Sequence, residues 1–327
     1  MRPERLGPCR LCGGAMHPVL AVDARFCLAS CAACGLVSTA PALGEEEILA
    51  FYPPAYFGRH NRRFNPLFEW LIRVFRARRA RFIERRARRG RLLDVGCGRG
   101  LLPHLMRARG WEAEGIELSD TAAEHARHVL GVPVYVGRLE QSPHPAASFE
   151  VVVFWHVLEH LAQPRSALRR AHELLAPGGL LVVAVPNHES LQARLGGRGW
   201  FHLDVPRHYH HFGLEVLQRL LADEGFEVEL VSHFVLEQNP YGWVQSLLNR
   251  LGFRPNFLYE ILKSESARTE AHPILSHPVQ SLLMLLALLG ILPLSAVLFT
   301  VELVLRRGGT VEVYARRRPS TGEAPTL

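Results

Sequence analysis

The sequence predicts an α/β protein built on a doubly wound sheet whose last strand runs antiparallel. Three observations carry this. Between residues 91 and 234, short apolar runs alternate with amphipathic segments of helical period, the pattern of repeated strand–helix units. The first run, RLLDV (91–95), enters a turn with glycines at 96, 98 and 100. Glycines at such a turn let the backbone take positive φ and let a ligand lie against bare main chain. A final run, GTVEVYARR (309–317), alternates cleanly and lies some 70 residues beyond its expected neighbour, FEVELVSHF (226–234).

A chain of 327 residues suits one large domain or two modest ones. Its 48% hydrophobic and 21% charged residues belong to a globular protein, not a disordered one. The net charge of +7 is concentrated: residues 59–91 hold thirteen arginines against Glu69 and Glu84. No basic-then-apolar signal segment opens the sequence. Paired cysteines near its start fit a reducing cytosol and a metal better than disulfides.

Those cysteines define residues 1–40 as an expected small zinc ribbon. Cys9-x-x-Cys12 and Cys31-x-x-Cys34 are separated by eighteen residues, the spacing of two metal knuckles. Gly13, Gly14 and Gly35 follow the pairs. Four thiolates suit a tetrahedral Zn²⁺ and leave no open position, so the metal is expected to be structural. Cys27 is the spare thiol, expected as a buried small side chain, with a substitute metal ligand as the other reading. Residues 41–90 are expected as a linker and a basic amphipathic helix. In the linker, Tyr52, Tyr56 and Phe57 are expected to pack on the surface, with closure over a substrate as the other reading. In the helix, Phe64, Leu67, Phe68, Leu71, Val74, Phe75, Phe82 and Ile83 recur near helical spacing, with arginines opposite. That basic face is either solvated or a surface for lipid head groups or RNA phosphate.

Residues 91–327 make the third region. After the strand at 91–95, helices are expected near 101–109, 119–130, 164–175 and 213–224. Strands are expected at 112–118, 132–137, 149–155 and 179–187. FEVVVFW (149–155) is nearly continuously apolar, as a strand buried on both faces requires. Ligands in such sheets bind at the carboxyl ends of the strands. Asp94, Glu117, Arg138, Trp155 and Asn187 all fall there.

The turn itself is selective. A dinucleotide loop spaces its glycines G-x-G-x-x-G, whereas Gly96, Gly98 and Gly100 are one residue tighter. Asp94 before them would repel a pyrophosphate and suits a ligand with an ammonium group. The set D-V-G-C-G-R-G resembles motif I of class I S-adenosylmethionine-dependent methyltransferases, which have a Rossmann-like sheet. Trp155-His156-Val157-Leu158-Glu159-His160-Leu161, followed by PGG and V-P-N, resembles the ubiquinone-type O-methyltransferases and related bacterial proteins over roughly residues 90–235. The resemblance implies a cofactor set of Asp94, Gly96, Cys97, Gly98, Gly100, Glu117, Leu118, Arg138, Leu139 and Trp155. Asp94 and the glycines would hold the methionine end, Glu117 the ribose, and Arg138 and Leu139 the adenine. In the ubiquinone-type group a further acid precedes the downstream loop and has been associated with a divalent ion. Here Trp155 or His156 takes that place, which argues against a catalytic Mg²⁺.

Residues 188–212, HESLQARLGGRGWFHLDVPRHYHHF, form a long excursion expected to act as a lid. His160, His208 and His211 are the candidate bases for an acceptor hydroxyl, and Arg207 a partner for an acidic group on the acceptor. A polar network ordering the lid itself is the other reading of these residues. The insertion at 240–308 contains 23 uncharged residues, Val279 to Val301, long enough to span a bilayer. The last strand must return to the same sheet, so a single crossing is excluded. Gly290 and Pro293 break the run near its middle, and a re-entrant hairpin in one leaflet is expected, with Arg306 and Arg307 at its exit. A buried hairpin or a dimer interface is the other reading.

The sequence thus points to a methyltransferase with S-adenosylmethionine as cofactor and structural zinc. It acts on a small-molecule or lipid-like acceptor (a lipid, quinone or lipid-linked sugar) at the inner face of the cell membrane, through peripheral or re-entrant contact. Two alternatives stand beside it: an RNA or protein methyltransferase gripping its polymer with ribbon and arginines, and a non-catalytic ribbon protein retaining the cofactor fold. The apolar insertion argues against nucleic acid.

Overall fold

A computed structural model describes residues 6–44, 47–48, 50–51, 64–264 and 272–318. Tyr52, Tyr56 and Phe57 lie outside the described residues, as do Arg59, Arg62 and Arg63. Strands β1 (Met16–Ala21), β2 (Cys27–Cys31) and β3 (Val37–Ala40) open the chain, followed by helix α1 (Pro66–Glu84). Then come β4 (Arg91–Val95), α2 (Leu101–Arg107), β5 (Glu112–Glu117), α3 (Asp120–His128), β6 (Val134–Val136) and β7 (Phe149–Trp155). Helix α4 (Pro164–Leu174) leads to β8 (Leu175–Pro186), α5 (Leu191–Gly196), β9 (His210–His211), α6 (Leu214–Asp223) and β10 (Phe226–Ser232). Helices α7 (Asn239–Arg250), α8 (Phe257–Leu262), α9 (Pro273–Ser276) and α10 (Pro278–Val304) precede β11 (Thr310–Arg317).

The chain forms two compact units. One gathers residues 1–72, 186–214 and 233–311; the other gathers 73–185, 215–232 and 312–327.

The second unit is organised by a seven-stranded sheet of order β10-β11-β8-β7-β4-β5-β6. Strands β4 to β8 pair in parallel, and β10 pairs antiparallel with β11. Six of the seven residues of β7 are buried, which accounts for its unbroken apolar run. Residues 176–178, expected to lie between the helix near 164–175 and the strand at 179–187, are instead absorbed into β8, because Leu175 already pairs with Phe149 before the register shifts. Helix α1 starts later than expected. Asn65 accepts the Phe68 N–H through Oδ1 at 3.1 Å and caps the first turn. One flank of α1 packs inward, with Ile83 fully buried and the Phe82 ring 4.9 Å from that of Tyr314.

The first unit contains a second sheet, β1-β2-β3-β9, whose outer strand arrives from the lid. Leu28 and Val37 of this sheet share a core with Trp200 and Leu203. Cys27 packs with Ala29 and Ala40 as a small apolar side chain.

The insertion is closed at its neck by Asn239, which is fully buried. Its Nδ2 donates to the carbonyls of His233 (2.9 Å) and Thr310 (3.3 Å), and its Oδ1 accepts the Thr310 N–H at 2.7 Å. Beyond the neck, Val244, Leu248 and Phe257 bury Met284 and Ile291 of α10.

The expected re-entrant hairpin does not form. Residues 278–304 make one continuous helix with Pro293 inside it. An interior proline costs about 3 kcal/mol, but Met284 and Ile291 before it and Ser295 and Glu302 after it are all buried. Packing on both sides of Pro293 keeps the two halves in one continuous helix.

Glu302 is fully buried and accepts the Trp243 Nε1–H at 2.7 Å. Replacing Trp243 by Phe keeps an aromatic ring and removes one hydrogen bond from that buried carboxyl. The variant is expected to lose about 2–3 kcal/mol of unfolding free energy, measured by denaturant titration; an unchanged midpoint would show that the bond carries nothing.

Candidate active site

The cradle forms where β4 ends. Gly96, Gly98 and Gly100 all take positive φ (65°, 53° and 78°). A Cβ at Gly96 would lie 2.5 Å from Val157, and one at Gly100 would lie 2.7 Å from Ala126. The loop therefore presents bare backbone to solvent at Gly96 while Gly100 seats α2 against α3. The Cys97 thiol does not face the cradle. It packs beneath the loop, where a Cβ on Gly115 would collide with it, and burial pushes its pKa well up. Its place in the expected cofactor set is therefore confined to its backbone.

Glu117 ends β5 and ties the loop down. Its Oε2 accepts the Gly98 N–H at 2.8 Å, and its Oε1 accepts the N–H groups of Leu118 and Ser119 at 2.8 and 3.0 Å. A carboxylate offers about four lone-pair directions, so Oε2 retains one for a hydroxyl donor. The Gly137 N–H reaches the Glu117 carbonyl at 3.1 Å and brings the loop after β6 alongside. There Arg138 is exposed and Leu139 buried, while Leu118 lies 63% exposed beyond β5.

Asp94 is buried, and desolvation raises its pKa to about 7. Arg76 and Arg79 oppose that rise, and Glu117 adds to it. Arg79, itself buried, lays its guanidinium over the Trp155 ring, 2.8 Å from the centroid. The sequence reading assigned the arginines of α1 to an outer face. A signal was present: position 79 lies four residues from both Phe75 and Ile83, within the apolar register.

After β7, His156 takes φ 53° and its Nδ1 lies 3.2 Å from Oε1 of Glu159, whose side chain is 1% exposed. A histidine nitrogen facing a buried carboxylate at this distance is a candidate acid–base pair. His160 is half-buried in the 3₁₀ turn Leu158–His160. His156 is not among the expected bases His160, His208 and His211; the carboxylate beside it is three residues away across an irregular turn.

In the other unit, the lid is bound to the ribbon. Strand β9 pairs antiparallel with β3, Val37 opposite His211 and Ser38 opposite His210. Thr39 Oγ1 donates to the His208 carbonyl at 2.6 Å and lies 3.0 Å from His211 Nε2. Burial, with His188 and His210 nearby, lowers the His211 pKa to about 3. Burial thus disfavours a proton on the His211 ring. Asp204 binds Arg207 through Oδ1 at 2.6 and 3.0 Å and lies 3.7 Å from the buried His208 ring. These contacts build the network that orders the lid.

Cys9, Cys12, Cys31 and Cys34 bring their sulfurs within 4.8 Å of one another. The Cys9–Cys34 and Cys12–Cys31 separations are 3.6 and 3.4 Å, near the ~3.8 Å that tetrahedral bonds of about 2.3 Å impose. The Leu11 and Cys34 N–H groups donate to Cys9 and Cys31 sulfurs at 3.4 and 3.5 Å.

Residues 67–231 match the family described as Methyltransferase domain, half of the chain. The chain belongs to the methyltransferase-domain family. The ubiquinone biosynthesis O-methyltransferase of Nitrosospira multiformis is 31% identical over 202 residues, 57% of this chain and 81% of that protein. The enzyme of the same name from Caulobacter sp. is 41% identical over 103 residues, 30% of this chain and 41% of that protein. The methyltransferase chain thus spans less than half the length of some curated relatives. A solved S-adenosylmethionine-dependent methyltransferase from Archaeoglobus fulgidus has a TM-score of 0.47 at 19% identity, covering 74% of this chain and 93% of that one.

Because β9 completes the ribbon sheet, opening the thiol cluster is expected to free the lid. In a Cys9→Ser, Cys34→Ser double variant, amide exchange at Val37–Ala40 and at residues 208–212 should rise at least tenfold, while β4 and β7 stay protected. Unchanged protection of 208–212 would sever the two.

Proposed function

We propose that this methyltransferase moves a methyl group from S-adenosylmethionine to a hydroxyl oxygen of a quinone-type, lipid-soluble acceptor at the cytoplasmic face of the membrane. The observation that carries the cofactor is the glycine loop pinned by Glu117 beside the buried Asp94. Asp94 suits the ammonium of the methionine end, Glu117 keeps a lone pair for a ribose hydroxyl, and the backbone at Gly96 lies open to solvent. Arg138 and Leu139 flank the adenine, and Trp155 borders the site. The acceptor class follows the names of the ubiquinone relatives. The four thiols hold structural Zn²⁺, four sulfurs leaving no position for water.

S-adenosylmethionine supplies a methyl group already activated on a sulfonium. The chain's share is therefore positioning and removal of the acceptor's proton. The buried Glu159 carboxylate lies 3.2 Å from His156 Nδ1, and Nε2 of the same ring is the proton acceptor in this reading. His160, in the same turn, and His208 in the lid are the second candidates.

His156→Asn is expected to lower kcat by about 10²-fold with cofactor affinity unchanged by calorimetry. Full activity would transfer the role to His160 or His208. Asp94 is largely protonated below pH 7 and must ionise to pair with an ammonium. Cofactor affinity should therefore rise as pH increases toward about 7 and level off above it, and Asp94→Asn should flatten that dependence. Absence of any cofactor binding would overturn the reading. The acceptor class is decided by supplying labelled cofactor with a lipid extract or with RNA: label in a lipid-soluble phenol ether supports the proposal, and label in RNA refutes it.

A further inference from the structure

Helix α10 shows the protein one narrow stripe. Its buried residues, Met284, Ile291, Ser295 and Glu302, fall within about 40° of arc at 100° per residue. The opposite side is apolar and uncovered. Leu282, Leu285, Leu289, Leu292 and Val297 are each 55–75% exposed. With the other exposed leucines and valines, eleven in all along α10, they spread over about 200°. The helix carries one ionisable side chain, Glu302, and it is sealed beneath Trp243. A monomeric soluble protein rarely exposes a contiguous apolar patch beyond roughly 300–600 Å².

We propose that α10 lies in the plane of one membrane leaflet, as a monotopic anchor for an anionic phospholipid surface. This rests on the membrane location of the proposed function and adds its geometry. Several observations select this occupant. A second copy packing helix on helix would cover one further stripe and leave much of the 200° arc in water, whereas a leaflet covers all of it. A bilayer-spanning orientation requires the helix to leave its unit. It does not leave: Val244, Leu248 and Phe257 hold Met284 and Ile291, and Trp243 holds Glu302 near the far end. Helix α7 would have to cross as well, carrying Gln245, Asn249 and Arg250.

The margins of the helix fit a charged interface. Arg306 and Arg307 are exposed at its end, and Arg254 bonds His277 at its start at 3.0 Å. Beside α10, Ile274 and Leu275 of α9 are 45% and 81% exposed. The start of α1 joins the same unit: the Phe64 ring is 5.5 Å from Tyr259, and the Asn65 N–H reaches the Leu262 carbonyl at 3.1 Å. Just beyond, Leu67 and Trp70 are 63% and 57% exposed. An exposed indole near arginines suits the headgroup level of a bilayer.

The test uses the full chain and vesicles of phosphatidylcholine, alone or with a third phosphatidylglycerol. Flotation with the anionic vesicles is expected. Leu285→Glu with Leu289→Glu should lower the bound fraction at least tenfold, and Arg306→Gln with Arg307→Gln should lower it several-fold at low salt. Calorimetric cofactor affinity should be unchanged in both, so that loss of vesicle binding is separable from loss of the methyltransferase reading. Geometry is read with a fluorescent unnatural residue at Leu282, Leu289 or Val297 and lipids brominated at shallow or deep acyl positions. Equal, shallow quenching at the three positions supports the in-plane helix. A gradient reaching the bilayer centre means a span and overturns it. So does a stable dimer that never floats.

Discussion

A single buried amide, that of Asn239, ties together the two ends of the insertion. Residues 233–309 leave after one strand and must come back as another strand beside it. Asn239 bonds His233 at the departure and Thr310 at the return, and Gln192 from α5 donates to its carbonyl. In a buried setting each unmet partner would carry a desolvation penalty, so the neck behaves as one closed unit. The apolar helix therefore belongs to an insertion whose two ends are fixed to each other.

The cofactor cradle is governed by a balance of buried charge. Desolvation drives Asp94 toward its neutral form, Arg76 and Arg79 draw it back, and Glu117 pushes the same way as burial. A cationic ligand tips that balance toward the carboxylate. The same Arg79 covers Trp155, so the wall of the site and the charge of its floor share one side chain. Helix α1 is thereby part of the site, although it precedes the first strand of the sheet.

The parts readable in the sequence were those governed by local periodicity and by residues with few alternatives. Strands β4 to β8 announced themselves by apolar runs. The glycine turn did so by spacing, and the four cysteines by their knuckles. Three kinds of feature were hidden. The β3–β9 pairing involves only two residues of the lid, too short for any alternation to register. His156 gains its partner through a positive φ that no composition predicts. Pro293 and Gly290 read as a break because local cost was visible and the packing that overcomes it, on residues forty positions away, was not.

The ribbon has one further property set by the order of the chain. Its first three strands are contiguous within residues 16–40, yet the strand that covers the edge of β3 belongs to residues 210–211. During synthesis the N-terminal sheet must wait for some 170 residues to emerge with its edge uncovered, and unpaired edges invite association with other chains. Four thiolates gathered on a metal ion would hold the nascent ribbon in shape through that interval, long before any substrate could reach the enzyme.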